Sequence, residues 1–182
     1  MLKNPDIDIA PELLEGLRLV GTPTATAYLM NQGYRHVYAI GIPAQALNPG
    51  QTMVGRARTL RFLPMREDLL KDQYSSVGDR PHRDAIESIQ PGEILVIDGC
   101  GTFEAGVVGD MFTRRVQELG GQGIVIDGCV RDMGAIREIG LPLFCKGSHG
   151  AGINRALISA DYQQPISIGY TPVLPGDVLM GD

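Results

Sequence analysis

The stretch that decides the fold spans residues 91–147 and reads PGEILVIDGCGTFEAGVVGDMFTRRVQELGGQGIVIDGCVRDMGAIREIGLPLFCKG. Two apolar runs within it, Glu93–Asp98 and Gly123–Asp127, are typical of strands that are buried on both faces. Between them the sequence predicts an amphipathic helix that begins at Gly109–Asp110. Its apolar face consists of Phe112, Val116 and Leu119. A strand, a helix and a second strand in this order predict a parallel sheet in an α/β fold.

Weaker patterns on both sides complete this prediction. On the N-terminal side they predict helices at Asp6–Leu19 and Thr22–Met30 (the second capped by Thr22 or Thr24), strands at His36–Ile42 and Gly50–Leu63, and two short helices within residues 66–90. On the C-terminal side they predict a helix at Met133–Ile139 and strands at Leu143–Lys146, Pro165–Tyr170 and Val173–Met180. No stretch has the composition of a linker, so residues 1–182 are predicted to form one α/β domain with a central sheet flanked by helices.

The composition narrows the class of partner. The net charge is -5 and no run of five basic residues occurs, so nucleic acid is not an expected partner. No apolar stretch follows Lys3, which predicts neither a signal peptide nor a membrane span and favours the cytoplasm. We therefore expect small-molecule or protein partners.

Several polar and sulfur-bearing residues are predicted to have structural roles. The cysteines lack CxxC spacing and are predicted to be buried thiols: Cys100, Cys129 and Cys145. The histidines are scattered and predict no zinc site: His36, His82 and His149. The arginines of the predicted strand after Gly55 are expected on a solvated face: Arg56, Arg58 and Arg61.

One set of residues is suited to chemistry. Asp110 stands at a predicted helix start, and twenty residues later Arg131 and Asp132 follow a predicted strand. In a strand-helix-strand unit, the helix N-terminus and the carboxyl end of the following parallel strand are brought to the rim of the sheet, so the three side chains are expected to converge. Spacing alone leaves open a structural alternative, in which Arg131 and Asp132 only cap helices or bridge surfaces.

The chemical types of these residues suggest a site for a divalent cation and a keto acid. Mg²⁺ or Mn²⁺ is often held by one or two carboxylates and several waters, so Asp132 is the candidate direct ligand and Asp110 the candidate partner of a bound water. The planar guanidinium of Arg131 suits a carboxylate or an enolate oxygen. The backbone amides of Met111 and Phe112, free in a first helical turn, are candidate substrate donors. Gly109 is a further candidate substrate-binding residue, because a glycine would let the ligand approach.

One glycine-rich motif is shared with a different class of enzyme. The sequence VIDGCGT at residues 96–102 is similar to the first motif of S-adenosylmethionine methyltransferases. That fold requires several further strand-helix units, whereas only 55 residues follow Asp127. The methyltransferase is therefore a remote alternative.

Residues 91–147, together with TPTATAYLMNQG at 22–33 and PGDVLMGD at 175–182, resemble the family that joins 4-hydroxy-4-methyl-2-oxoglutarate aldolases to RraA-like regulators of ribonuclease E. The resemblance implies a swivelling β/β/α-type domain that assembles as trimers or hexamers with active sites between protomers. It also implies that relatives continue beyond the segment that ends here at Asp182.

The catalytic members of this family imply a function for the chain. They are divalent-metal pyruvate aldolases acting on 4-hydroxy-4-methyl-2-oxoglutarate or 4-carboxy-4-hydroxy-2-oxoadipate, and they often decarboxylate oxaloacetate. Their signature of an aspartate, twenty residues and an Arg-Asp pair falls on Asp110, Arg131 and Asp132. The resemblance assigns metal binding to Asp132, keto-acid binding and enolate stabilisation to Arg131, and water positioning to Asp110. The rival implied by the same family is a non-catalytic regulator that binds a ribonuclease or another protein.

Overall fold

The computed structural model describes residues 9–68 and 80–182. The helices of these residues are α1 (Pro11–Leu17), α2 (Thr22–Asn31), α3 (Pro81–Glu87), α4 (Asp110–Glu118) and α5 (Met133–Ile139), with a 3-10 turn at Ile153–Arg155. The strands are β1 (Ala44–Ala46), β2 (Met53–Pro64), β3 (Glu93–Asp98), β4 (Gly123–Val130), β5 (Leu143–Ser148), β6 (Leu157–Tyr162), β7 (Ile166–Ile168), β8 (Thr171–Val173) and β9 (Val178–Gly181). Within these residues no helix is both long enough and apolar enough to span a bilayer.

The main sheet has the strand order β1-β5-β4-β3-β2-β6, and β9 pairs with a different part of β2. Strands β2, β3, β4 and β5 are mutually parallel, whereas β1, β6 and β9 join antiparallel. The parallel strands place their carboxyl ends at one edge of the sheet, where ligands commonly bind in open α/β sheets. The predicted strand-helix-strand unit is thus present as β3, α4 and β4.

The sheet lies between two unlike layers. Helices α3, α4 and α5 pack on one face through buried residues such as Ile86, Val116 and Ile136. The hairpin of β7 and β8 packs on the other face, where Ile166 and Ile168 join a second cluster. Because both faces are covered, every residue of β4 is buried, which explains its unbroken apolar sequence. The hairpin, sheet and helices form a β/β/α arrangement, so the predicted fold class is confirmed.

Several predicted elements need correction. Residues 36–42 form no strand, and the edge strand β1 begins only at Ala44. Helix α2 has Gly21 as its N-cap, and a glycine has no side chain to cap the helix. The amide and hydroxyl of Thr22 both donate to the Asp182 carboxylate. The tail contains three short strands instead of two, and β6 was not predicted. Of the helices predicted within residues 66–90, α3 is present and residues 69–79 lie outside the described part.

Two expectations about side-chain environment also need correction. Arg58 is not on a solvated face: it forms an ion pair with Glu93 at 2.9 Å, and its side chain is only 12% exposed. Arg61 pairs with Asp161 on the neighbouring strand β6, but 41% of its side chain remains exposed. Of the three cysteines, Cys100 is exposed because it lies in the turn after β3, whereas the other two lie within strands and are buried as predicted.

Candidate active site

Arg131 and Asp132 leave the sheet where β4 ends at Val130. Asp132 has φ 53° and ψ 36°, a left-handed conformation that aspartate tolerates better than most residues. It occupies the N-cap position of α5, but its side chain makes no capping hydrogen bond. Both residues are exposed. The cap role that the sequence left open is therefore absent for the Asp132 side chain.

The segment before α4 is held against the end of β4 by backbone hydrogen bonds. The amide of Val107 donates to the Cys129 carbonyl at 2.9 Å, and the amide of Arg131 donates to the Val108 carbonyl at 2.8 Å. The amide of Gly106 donates to the Ala151 carbonyl at 2.9 Å. These contacts join β4, the segment before α4 and the loop after β5 at one rim.

Glycines allow this close approach. A Cβ at Gly106 would collide with Arg131 Cγ, and a Cβ at Gly109 would lie 2.7 Å from Asp132 Oδ2. Gly152 is the neighbour on the other side, where a Cβ would lie 3.4 Å from Arg131 Nη1. The Arg-Asp pair thus sits directly beside the N-terminus of α4, whose first residue is Asp110.

Asp110 is turned toward its own helix. Its Oδ1 accepts a hydrogen bond from the Met111 amide at 2.8 Å. This contact suits a carboxylate at the positive end of a helix dipole, but it engages the amide that the sequence proposed as a substrate donor. Thr113 is the first residue of α4 whose amide donates a backbone hydrogen bond, which the Gly109 carbonyl accepts. The Phe112 amide belongs to the amides that a first turn leaves without an intrahelical partner.

A cavity of about 710 Å³ opens beside Arg131. Four arginines line it: Arg80, Arg83, Arg131 and Arg155. Its lining within the described residues contains no aspartate or glutamate, and neither Asp110 nor Asp132 belongs to it. Of the four arginines, only Arg131 was predicted from the sequence as a site residue. The others come from α3 and the 3-10 turn, which are distant in sequence from the Arg-Asp pair.

His82 lies between two aromatic rings in the same cavity. Its ring centroid is 5.4 Å from that of Phe62 and 4.9 Å from that of Phe112. Burial lowers the pKa of His82 to about 4, so the imidazole is neutral at pH 7. Its Nε2 is buried and has no hydrogen-bond partner within the described residues. The predicted absence of a zinc site remains a prediction, but His82 is a part of the cavity that spacing alone did not reveal.

A separate charged cluster lies on the hairpin side of the sheet. Asp98 and Asp127 are paired in register on β3 and β4, and burial raises the pKa of Asp98. Asp127 is 9% exposed; its Oδ2 accepts from the Gly169 amide at 2.8 Å, and its Oδ1 lies 2.7 Å from Lys146 Nζ. The second contact is an ion pair whose angles do not meet hydrogen-bond geometry. This cluster ties the hairpin to the sheet.

The residues present fit a hydrated hard cation better than a metal enclosed by protein. Asp132 is exposed, and its carboxylate occupies the space that a Cβ at Gly109 would need. Asp110 directly follows Gly109 in the chain. Within residues 9–68 and 80–182, no group of three or more His, Cys, Asp or Glu side chains is placed to hold a metal. One or two carboxylates with several waters is the arrangement in which Mg²⁺ is usually bound.

Comparisons with known proteins agree with this architecture. A curated protein of Halalkalibacterium halodurans, named "Putative 4-hydroxy-4-methyl-2-oxoglutarate aldolase", is 32% identical over 136 residues, which are 75% of this chain and 59% of that protein. The chain thus spans less than two thirds of the length of this relative. The crystal structure of Streptomyces coelicolor RraAS2, described as an unusual member of the RNase ES inhibitor RraA protein family, has a TM-score of 0.86 and 34% identity, with 96% of this chain and 83% of that chain covered.

A third similarity concerns the fold alone. A crystal structure named S-adenosylmethionine: 2-dimethylmenaquinone methyltransferase, from Geobacillus kaustophilus, has a TM-score of 0.64 at 23% identity, with 86% of this chain and 89% of that chain covered. A family model described as RraA-like, Aldolase/RraA, matches residues 24–182. The chain therefore belongs to the RraA-like family of aldolases and RraA proteins.

Proposed function

We propose that this protein is a divalent-metal-dependent lyase that releases pyruvate from an α-keto acid by retro-aldol cleavage, and that it also decarboxylates oxaloacetate. The observation that carries the proposal is the close packing of Arg131 against Gly106 and of Asp132 against Gly109, with Arg131 also lining an arginine-rich cavity. The aldolase name of the relative from Halalkalibacterium halodurans supports the same class of reaction.

The roles of the chain's own residues follow from their chemistry. Arg131 would donate to the carboxylate of the keto acid and balance the negative charge that develops on the enolate oxygen. Asp110 would orient a water molecule that accepts the proton of the C4 hydroxyl group. The C3–C4 bond then breaks, its electron pair forms the enolate of pyruvate, and a proton delivered to C3 completes the product. Decarboxylation of oxaloacetate generates the same enolate, so one site would serve both reactions.

Asp132 would hold the cation, with Asp110 in contact with one of its waters. When bound, Mg²⁺ or Mn²⁺ would supply Lewis-acid polarisation of the keto group. The two carboxylates of this chain leave several positions for water or for an acidic group of another protomer. We therefore also propose a homotrimer or hexamer with sites between protomers, which light scattering after size-exclusion chromatography would test.

The first test measures pyruvate from oxaloacetate in the presence of Mg²⁺ through a coupled assay. Asp132→Asn is expected to lower kcat/KM by on the order of a hundredfold or more, since the variant removes the anionic ligand and keeps the shape. Glu138→Gln on α5 is the matched control, because Glu138 is an exposed carboxylate on the adjacent helix. Pyruvate formation no faster than that of metal and buffer alone would refute the proposal.

A second test addresses the guanidinium. Arg131→Lys keeps the charge but loses the planar fork, so KM should rise and kcat should fall, with kcat/KM reduced about tenfold to a hundredfold. Exchange of the C3 protons of pyruvate in D₂O reports enolate formation directly and should fall in the same variant. Unchanged exchange would show that Arg131 does not stabilise the enolate.

The rival function is that of a regulator that binds a ribonuclease, favoured by the similarity to RraAS2, which is described as a member of an RNase ES inhibitor family. A regulator that uses the same fold only as a scaffold does not require Asp132. Binding to a ribonuclease that survives Asp132→Asn, together with absent pyruvate formation in the unmodified protein, would favour the rival.

A further inference from the structure

The floor of the cavity beside Arg131 is apolar. Phe62 and Leu157 line the cavity and belong to the core cluster on the helix side of the sheet. Phe112 and Ile153 line it as well and pack against the same cluster. The cavity therefore opens directly onto the hydrophobic core. A carboxylate pressed against such a floor would lose its hydration and find no partner there, so the floor suits an apolar part of a ligand.

The rings at this floor favour an aromatic group over an aliphatic one. The His82 ring meets Phe62 edge-on, with an interplanar angle of 75°, and is tilted by 56° against Phe112. Burial lowers the pKa of His82 to about 4, so all three rings are uncharged at pH 7. Aromatic rings attract one another in edge-to-face and offset geometries, so a cluster of three rings offers a favourable place for a fourth.

The other arginines of the lining are exposed to solvent, unlike the floor: Arg80, Arg83 and Arg155. An exposed guanidinium group remains hydrated, so its pairing with a carboxylate contributes little to affinity. None of the three forms an ion pair with a carboxylate of residues 9–68 and 80–182. Their planar guanidinium groups can therefore stack on the face of a ring that is held in the cavity.

The cavity has room for such a ring. Its volume of about 710 Å³ lies within the range of roughly 300–1,000 Å³ that is usual for small-molecule sites. In the proposed reaction Arg131 binds the carboxylate of the half that becomes pyruvate. Most of the space then remains for the leaving half of the substrate, and that space has the apolar floor.

We infer that this cavity takes an aromatic ring, so that the substrate is a 4-hydroxy-2-keto acid whose leaving half carries the ring. The inference rests on the proposed function for the identity of the pyruvate half. In the reaction the C4 hydroxyl group loses its proton, the C3–C4 bond breaks, and its electron pair forms the enolate of pyruvate. C4 becomes the carbonyl carbon of an aromatic aldehyde or ketone, and a proton is added to C3. The step is balanced without an oxidant or a reductant.

Calorimetric titration in the presence of Mg²⁺ tests the aromatic subsite by binding alone. The probes are 2-oxobutyrate, 2-oxoglutarate and 2-oxo-4-phenylbutyrate, which share one frame and carry hydrogen, a carboxylate or a phenyl group at C4. None has a C4 hydroxyl group, so none can undergo retro-aldol cleavage. Burial of the phenyl group should raise the affinity about tenfold to a hundredfold over that of 2-oxobutyrate. Equal affinities, absent binding of all three included, or tighter binding of 2-oxoglutarate than of the phenyl compound would overturn the inference.

Variants then test the residues of the floor. Phe112→Leu and Ile153→Thr should each lower the affinity for 2-oxo-4-phenylbutyrate about threefold to tenfold and leave that for 2-oxobutyrate nearly unchanged. Both residues are half-buried, so the fold should tolerate the changes. Phe103→Leu is the control, because Phe103 is 62% exposed and lies outside the cavity lining. An undiminished preference for the phenyl compound in both cavity variants would overturn the assignment.

The failure of the aromatic subsite and the failure of the proposed function are distinguishable. Pyruvate C3 exchange in D₂O with Mg²⁺ tests enolate chemistry and requires only the pyruvate unit. Exchange without any preference for the phenyl compound rejects the aromatic subsite and leaves the lyase. Preference for the phenyl compound without exchange supports the aromatic subsite and rejects the lyase.

Discussion

Replacing Gly109 by alanine should damage the candidate site without damaging the fold. Gly109 has φ -115° and ψ -171°, an extended conformation that alanine adopts without strain. The new methyl group would instead lie 2.7 Å from Asp132 Oδ2. The substitution therefore acts on one carboxylate and leaves the chemical identity of Asp110, Arg131 and Asp132 unchanged.

The expected magnitude follows from that distance. An ordinary contact of a methyl carbon begins near 3.4 Å, so the Asp132 carboxylate must move by about 0.7 Å or rotate away. A misplacement on the order of 1 Å can cost a hundredfold in rate, so kcat/KM should fall about tenfold to a hundredfold. Because Asp132 is exposed and can move, the free energy of unfolding should change by less than about 1 kcal/mol.

The assay combines pyruvate formation from oxaloacetate, titrated with Mg²⁺, and thermal unfolding. A higher Mg²⁺ concentration should be required for half-maximal activity of Gly109→Ala, since its displaced group is the proposed ligand. Gly134→Ala is a matched control: a Cβ at Gly134 meets nothing within 4 Å, and the residue lies in helix α5. This control should keep full activity and gain up to about 1 kcal/mol of stability from helix propensity.

A Gly109→Ala variant with full activity and an unchanged Mg²⁺ requirement would refute this reasoning. Loss of activity together with unfolding would also refute it, because the predicted clash falls on an exposed side chain. Equal losses in both alanine variants would show that the glycines matter for a reason other than the contact with Asp132.

Two further predictions concern stability. The pKa of His82 is about 4 in the folded protein and 6.5 when unperturbed, so its stabilising contribution is complete above pH 6.5 and is lost as the pH falls toward 4. The free energy of unfolding should fall by about 3 kcal/mol over this range. Urea unfolding at pH 7.5 and 4.5 should therefore show a smaller pH dependence in His82→Gln than in the unmodified protein. An equal pH dependence in the two proteins would contradict this prediction. Asp127→Ala should cost about 3–5 kcal/mol, because it leaves Lys146 without its buried partner. The double variant with Lys146→Met should recover part of that stability in a double-mutant cycle, and strictly additive losses would contradict the pairing.

Parts of the fold could be predicted because local pattern and tertiary packing agree there. The continuous apolar runs of β3 and β4 and the single apolar face of α4 are matched by full burial of β4 and by packing of Val116 in the core. Helix α5 ends at Gly140 in a left-handed conformation, as its glycine indicated. The edge strands were predicted less well, because a short strand such as β1 depends on pairing with β5 more than on its own residues.

The positions of some charged residues could be predicted from the sequence, whereas the partners of others could not. The sequence alone placed Asp110, Arg131 and Asp132 at one rim, because helix starts and parallel strand ends are related by the topology of a strand-helix-strand unit. It could not indicate that Arg58 pairs with Glu93, since the partners are 35 residues apart and meet only across β2 and β3.

From the sequence by itself came the fold class and the three candidate residues, since both are encoded in periodicity or in spacing along a contiguous stretch. The family resemblance also came from the sequence, because the motifs at residues 22–33, 91–147 and 175–182 carry it. Only the tertiary structure decided that Arg80, Arg83 and Arg155 surround the same cavity as Arg131. The physical reason is that a cavity is made by elements remote in the chain, so no local pattern records which side chains share it. The left-handed backbone of Asp132 and the closeness of Gly109 to its carboxylate were likewise decided by packing.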